Sequence, residues 1–181
     1  MDTVPRFTES HISNVQRSWP FLVSSDFWPS FYIKLFQKYP LYQLEFDRFA
    51  RVPVNELISN GHFLAHATRT GKVFDTTIGL LGDFKVSQKA LEDLGEKHKK
   101  FRLTTGHFEA VELVLNEILT DRMTTEHTTE TGSSSEELLE SWKVCVSCVI
   151  GTIKEAAVVD TSLPVMVAAA GNSIKKTQHY Q

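Results

Sequence analysis

Two histidines fall on the apolar faces of separate helical patterns. His66 lies in Phe63-Leu-Ala-His-Ala67 and His98 in Leu94-Gly-Glu-Lys-His98. A lone inward imidazole is more often a hydrogen-bonded core residue than a ligand. Here there are two, and an aromatic stretch, Tyr39-Pro-Leu-Tyr-Gln-Leu-Glu-Phe-Asp-Arg-Phe49, precedes both. A neutral imidazole becomes a strong metal ligand when its second nitrogen donates to a carbonyl or hydroxyl. Two such side chains facing each other across an apolar slot could hold a metal between them. His62, one turn before His66, opens a different possibility, a helix-surface zinc pair. No acidic or cysteine partner has the spacing to complete it.

Helices must position these residues. Ser10 is placed to cap a first helix to about Leu22, with Ile12, Val15, Trp19 and Leu22 at helical spacing. Ser24-Ser-Asp26 is a cap signal and Pro29 fits the first turn of the helix behind it. That helix carries Phe31, Tyr32, Leu35 and Phe36 and stops at Tyr39-Pro40, because proline disfavours helix in the residue before it. Arg51-Val-Pro-Val54 forms a corner, with one turn at 55–59. Asn60 caps a long helix to about Leu81. At about 100° per residue, Phe63, His66, Ala67, Thr70, Phe74 and Leu81 share one arc, and Arg69 and Lys72 point elsewhere. A further helix covers about Ser87 to His98, with Leu91, Leu94 and His98 inward. Thr104 or Thr105 caps another to about Met123, with Phe108, Val111, Leu115 and Leu119 inward. The polar stretch 124–135 is expected to be a mobile loop. A last helix runs from Glu136 to about Val159, with Trp142, Val146, Val149, Ile153 and Ala157 on one side. Period-2 alternation and hairpin dipeptides are absent, so the expected class is all-α, with six to eight helices. The organisation is an N-terminal extension at 1–9, one domain at 10–159 and a disordered tail at 160–181.

Size and charge exclude several functions. A chain of 181 residues suffices for one self-supporting core. Its formal charge of −3 argues against general nucleic-acid binding. No apolar run reaches the roughly 18 residues of a membrane span. The N-terminus has no signal-peptide core, which makes the cytoplasm the default compartment. The only cysteines, Cys145 and Cys148, have C-x-x-C spacing but lie inside a helical pattern with no second ligand pair. They are expected to be free thiols. Cys148 is read as the more exposed, with a disulfide-linked homodimer through it as a subsidiary expectation.

Taken together, the helix ending at Tyr39-Pro40, Phe46-Asp-Arg-Phe49, His66 about 20 residues later and then Leu94-Gly-Glu-Lys-His98 resemble the globin family. The likeness is to neuroglobin-type and invertebrate globins, spans about residues 10–155, and is strong as an ordered set although each motif alone is weak. It implies the globin fold, a three-on-three helical sandwich around a haem b (iron protoporphyrin IX). It implies that His98 is the proximal iron ligand and His66 the distal histidine, available as a sixth ligand. Phe46 is then the phenylalanine against the porphyrin, with Phe49 beside it and Leu94 on the proximal side. Tyr32 and Thr70 join His66 in the distal pocket, and Arg69 reaches toward a propionate. Trp28 departs from the pattern, standing where members of the family commonly carry a small residue.

The functional expectation is reversible binding of dioxygen, or of carbon monoxide or nitric oxide, for oxygen storage or transport. Donors beside a bound diatomic ligand stabilise the charge it acquires, and both His66 and Tyr32 can donate. A second reading is a bis-histidyl redox or gas sensor. A third is a nitric oxide dioxygenase or nitrite reductase served by an external reductase. The basic cluster Lys97, Lys99, Lys100 and Arg102 is either a solvated face or a neutraliser of propionates.

Overall fold

The structure, a computed structural model, describes residues 7–125 and 134–158. Among these residues there are six α-helices: α1 (Glu9–Leu22), α2 (Phe27–Lys38), α3 (Gly61–Gly79), α4 (Phe84–His98), α5 (Thr105–Thr125) and α6 (Ser135–Ala157). Short 3-10 turns at Pro40–Glu45, Val54–Ser59, Leu81–Asp83 and Lys99–Phe101 join several of them, and no strand is present among the described residues. Helices α1, α3 and α4 form one layer, and α2, α5 and α6 cross them as the other. None of these helices is long and apolar enough to cross a membrane.

Several helix ends differ from expectation. The first helix is capped by Thr8, not Ser10. The Thr8 hydroxyl accepts from the His11 N–H and His11 Nδ1 accepts from the Thr8 N–H, closing a reciprocal box. Asp26 occupies the N-cap of α2 but makes no capping bond. Its carboxylate is taken by Ser24 and by Arg122, whose guanidinium lies 2.8 Å away. Asn60 caps α3 as read, accepting from the His62 and Phe63 N–H groups at 3.0 Å. Helix α3 ends at Gly79, and the turn at Leu81–Asp83 leads straight into α4, which starts three residues before Ser87. The expected loop at 124–135 is shorter at both ends, because α5 runs through Thr125 and Ser134 caps α6. The rest of that loop, residues 126–133, lies outside the described residues, as do Val159 and the tail at 160–181.

The core gathers Phe27, Phe31, Phe36, Phe63, Leu91, Leu115 and Trp142, all at most 2 % exposed. Helix α6 is enclosed by α1, α4 and α5, so its buried surface is wider than one stripe. Both cysteines are consequently buried, with Cys148 only 4 % exposed. Burial pushes the Cys145 thiol to about 12 and the Cys148 thiol to about 11. The expectation of an exposed, cross-linking Cys148 is therefore corrected: both are free, protonated core thiols.

Two close helix crossings set the site. At Gly95 of α4, an added Cβ would lie 2.5 Å from the Ile153 carbonyl oxygen and 2.6 Å from the Ala156 Cβ of α6. At Gly71 of α3, an added Cβ would lie 2.8 Å from the Trp28 indole of α2. Trp28 thus does not keep the helices apart. The small residue needed for the crossing sits on the partner helix.

Candidate functional site

The helices frame a large, partly open cavity of about 990 Å³. It lies between α3 and α4 and is floored by α5 and α6. Tyr32, Phe46, Phe49, His66, Arg69, Thr70, Leu94 and His98 all line it, so the fold brings every expected site residue to one place. The walls are mostly aromatic and aliphatic, including Phe31, Leu35, Phe108, Val111, Leu115 and Ile150. The lining also includes the charged residues Arg48, Arg69 and Lys72 and the acidic Glu45 and Asp47. Arg69 is exposed, as its position outside the apolar arc of α3 requires.

His98 ends α4. Its Nδ1 lies 2.8 Å from the Leu94 carbonyl oxygen, one turn earlier on the same helix. A carbonyl only accepts, so Nδ1 carries the proton and donates. Nε2 is then a lone pair without a partner among the described residues, in a side chain that lines the cavity. This is the state a metal-binding imidazole requires. The Phe101 ring stands edge-on to His98, with centroids 6.1 Å apart.

On the opposite side, His66, Tyr32 and Thr70 form a connected chain. Thr70 Oγ1 donates back to the His66 carbonyl at 3.2 Å. Tyr32 Oη lies 2.8 Å from Thr70 Oγ1 and 3.0 Å from His66 Nε2. One assignment of protons satisfies all three contacts. Tyr32 donates to the Thr70 oxygen, and His66 donates from Nε2–H to the phenol oxygen. Burial pushes the Tyr32 phenol up to about 12, so it remains protonated. Burial, with a smaller contribution from the Arg69 guanidinium, lowers His66 to about 4, so it remains neutral.

The aromatic corner closes the cavity between these halves. Phe46 and Phe49 stack with centroids 5.0 Å apart, and Phe46 stands edge-on to His66 at 4.9 Å. Buried Gln43 holds the corner from inside, donating to the Phe49 and Val52 carbonyls at 2.8 and 2.7 Å. Gln43 was not expected to matter, and neither was His107. The His107 ring stacks on Tyr42 at 4.1 Å and lines the cavity, while its Nδ1 accepts from the Thr104 N–H at 3.1 Å. The spacing Thr104 to His107 repeats that of Thr8 to His11, and that repetition is the signal that could have found it.

With this geometry in view, residues 29–153 match the family model for globins. The chain belongs to the globin family. Solved globin structures share its fold. A Drosophila melanogaster globin superposes with a TM-score of 0.71 at 21% identity, covering 83% of this chain and 95% of that one. A hexacoordinated heme protein from an anhydrobiotic tardigrade gives 0.69 at 20% identity, covering 87% and 99%. A neuroglobin from the marine acoel Symsagittifera roscoffensis gives 0.66 at 21% identity, covering 82% and 98%. No curated protein sequence matches the chain. Membership implies haem, and the residues of this globin fit one. The unpartnered His98 nitrogen supplies a donor, the apolar walls suit a macrocycle, and Arg48, Arg69 and Lys72 suit its carboxylates.

Proposed function

We propose that this globin binds one haem b through His98 and takes up dioxygen, or another diatomic ligand, on the side lined by His66, Tyr32 and Thr70. The observation that carries the reading is the His98 Nδ1–H donation to Leu94, which leaves Nε2 as the nitrogen free to ligate. When bound, haem supplies an iron that holds diatomic ligands reversibly in its ferrous form. Leu94 fixes the ring and tautomer of His98. Phe46 and Phe49 pack the corner and exclude water. His66 keeps a proton on Nε2 because Tyr32 Oη accepts it, so a hydrogen-bond donor is already oriented beside the ligand position. Tyr32 can turn its own hydroxyl from Thr70 toward the same place. Storage or transport is the role these two donors serve best, since together they slow ligand release.

Bis-histidyl resting iron is the second reading. Neutral His66 at the cavity wall favours it, as does the hexacoordination named for the tardigrade relative. Ligation would require Nε2 to lose its proton to Nδ1 and break the bond to Tyr32, so the Tyr32–Thr70 pair opposes it. A sensor or electron-transfer role would follow if ligation nevertheless prevails. Nitric oxide dioxygenation or nitrite reduction would use the same pocket with an external reductase.

Titration with hemin tests the first claim. A Soret band should appear at one equivalent, disappear in His98→Gly and return when imidazole is added. A band unchanged in His98→Gly would remove His98 as ligand. The ferrous, ligand-free spectrum then separates the two readings. One broad visible band means an open sixth position. Two sharp bands that vanish in His66→Leu mean bis-histidyl iron.

A further inference from the structure

A second, smaller pocket of about 620 Å³ opens at the aromatic corner, and the haem reading makes no use of it. One stretch of chain, residues 44–52, supplies its lining. Arg48 and Arg51 line it and are exposed, and neither makes an ion pair or a side-chain hydrogen bond among the described residues. Arg48 also lines the larger cavity, whereas Arg51 does not. Asp47 is the one carboxylate in the lining, because Glu45 lines the larger cavity instead. Leu44 and Val52 supply an apolar wall. The backbone of the turn is sided. Buried Gln43 takes the Phe49 and Val52 carbonyls from within, at 2.8 and 2.7 Å. The Arg48, Ala50 and Arg51 N–H groups have no acceptor among the described residues. Acceptors satisfied from inside and donors left free make a turn of the kind that holds anions. Two unpaired guanidiniums add forked, charge-assisted donors that suit phosphoryl oxygens in pairs.

We propose that this pocket binds a small, soluble phosphate ester. Arg48, Arg51 and the free amides hold its phosphoryl oxygens, and its organic part lies against Leu44 and Val52. Two forked cations and three amides match the three terminal oxygens of a phosphate dianion, whereas a single carboxylate would leave most of these donors unmet. The apolar wall beside them favours an ester over inorganic phosphate. Asp47 opposes the charge and keeps the affinity modest. The event is binding alone, and no bond forms or breaks. It does not depend on His98 or on haem, because Arg51, the free amides and the Leu44–Val52 wall belong to the corner itself.

Titration of the full chain with phenyl phosphate, inorganic phosphate and phenol, followed by amide proton–nitrogen NMR, tests it. The Arg48, Ala50 and Arg51 amides should shift together and saturate with phenyl phosphate, and phenol should move none of them. Phenyl phosphate should bind at least about threefold more tightly than inorganic phosphate, through its contact with the apolar wall. Arg48→Gln/Arg51→Gln should weaken binding at least about tenfold, as the loss of charge-assisted hydrogen bonds requires. Asp47→Asn should tighten it about threefold, by removing an exposed like charge. Arg69→Gln/Lys72→Gln takes cations from the larger cavity and Arg17→Gln/Lys143→Gln takes them from elsewhere on the surface, and each should change binding less than about twofold. Binding that is lost with Arg69 and Lys72 would place the anion in the larger cavity and overturn the site. So would binding that survives the Arg48/Arg51 double variant, or no amide shift up to about 10 mM ligand. Equal affinity for inorganic phosphate would overturn the ester as its ligand. None of these outcomes moves the Soret titration that tests His98, so the two readings fail separately.

Discussion

On the His98 side, the glycine sits on the helix that carries the histidine. Gly95 lets the backbone of α6 lie directly against α4, and His98 is then oriented by a backbone carbonyl of its own helix. On the His66 side, Gly71 instead receives a side chain, the indole of Trp28, and His66 is oriented by two further side chains, Tyr32 and Thr70. Backbone against backbone has no freedom to adjust. An indole can tilt, and a phenol can exchange partners. One half of the pocket is thus built to keep a single geometry. The other keeps a donor in place but can release it, which is what an incoming ligand requires.

Gly95→Ala should be the most damaging single change. Its Cβ would meet the Ile153 carbonyl at 2.5 Å, and a carbonyl inside a helix cannot rotate away. A loss of about 3 kcal/mol or more, at the upper end for overpacking, is expected in denaturant unfolding. Gly71→Ala meets the Trp28 ring at 2.8 Å, where a side chain can shift, so about 1–2 kcal/mol is expected. Trp28→Leu should recover part of that loss in the double variant. Ala156→Gly removes only the side-chain part of the clash at Gly95 and leaves the Ile153 carbonyl, so it should recover less there than Trp28→Leu recovers at Gly71. Equal rescue would break the distinction between the two crossings.

Acid should weaken the His66 side of the haem-free protein. The folded pKa of His66, about 4, lies below the unfolded value near 6.5. Between those values the unfolded chain binds the extra proton, so stability is full above about pH 6.5 and declines as pH falls toward 4. Because His66 is only partly buried, the loss should stay below about 2 kcal/mol. Unfolding of His66→Phe measured across the same range should lack it. An identical slope in both proteins would assign the acid sensitivity to other groups.

Much of the His66 helix was legible because its signals are local. The Asn60 cap, the arc from Phe63 to Phe74 and the placement of Thr70 one turn after His66 all follow from periodicity within one element. The aromatic corner was legible as a set of rings, but Gln43 was not, since a buried amide in a short 3-10 turn leaves no periodic trace. The exchange of a small residue between Trp28 and Gly71 joins positions on different helices, and no single-helix pattern encodes it. Cys148 was misplaced for a related reason. A stripe calculation assumes one packed side, whereas α6 is covered by three helices. The start of α1 was missed because Ser10 and Thr8 are both good caps by type. The His11 ring, reaching back to the Thr8 N–H, decides between them.

Tyr32→Phe would sharpen the contrast within the distal side. It removes the acceptor for His66 Nε2–H and the donor to Thr70 together. One lost hydrogen bond to the ligand corresponds to about 1 kcal/mol, so ligand release, followed by laser photolysis and stopped flow, should quicken roughly fivefold. The same variant should raise any bis-histidyl fraction, because nothing then favours the Nε2–H tautomer. Thr70→Val should act in the opposite direction and less, slowing release by about threefold, since it removes only the acceptor that keeps the Tyr32 hydroxyl turned away from the ligand position and leaves the phenol to hold His66. The double variant decides whether the three side chains act as a chain. With Tyr32 gone, Thr70 has no route to His66 Nε2, so adding Thr70→Val to Tyr32→Phe should change release by less than a factor of about two. Multiplicative effects in the double variant would mean that Thr70 touches the ligand directly, and that the distal side is two independent donors rather than one relay.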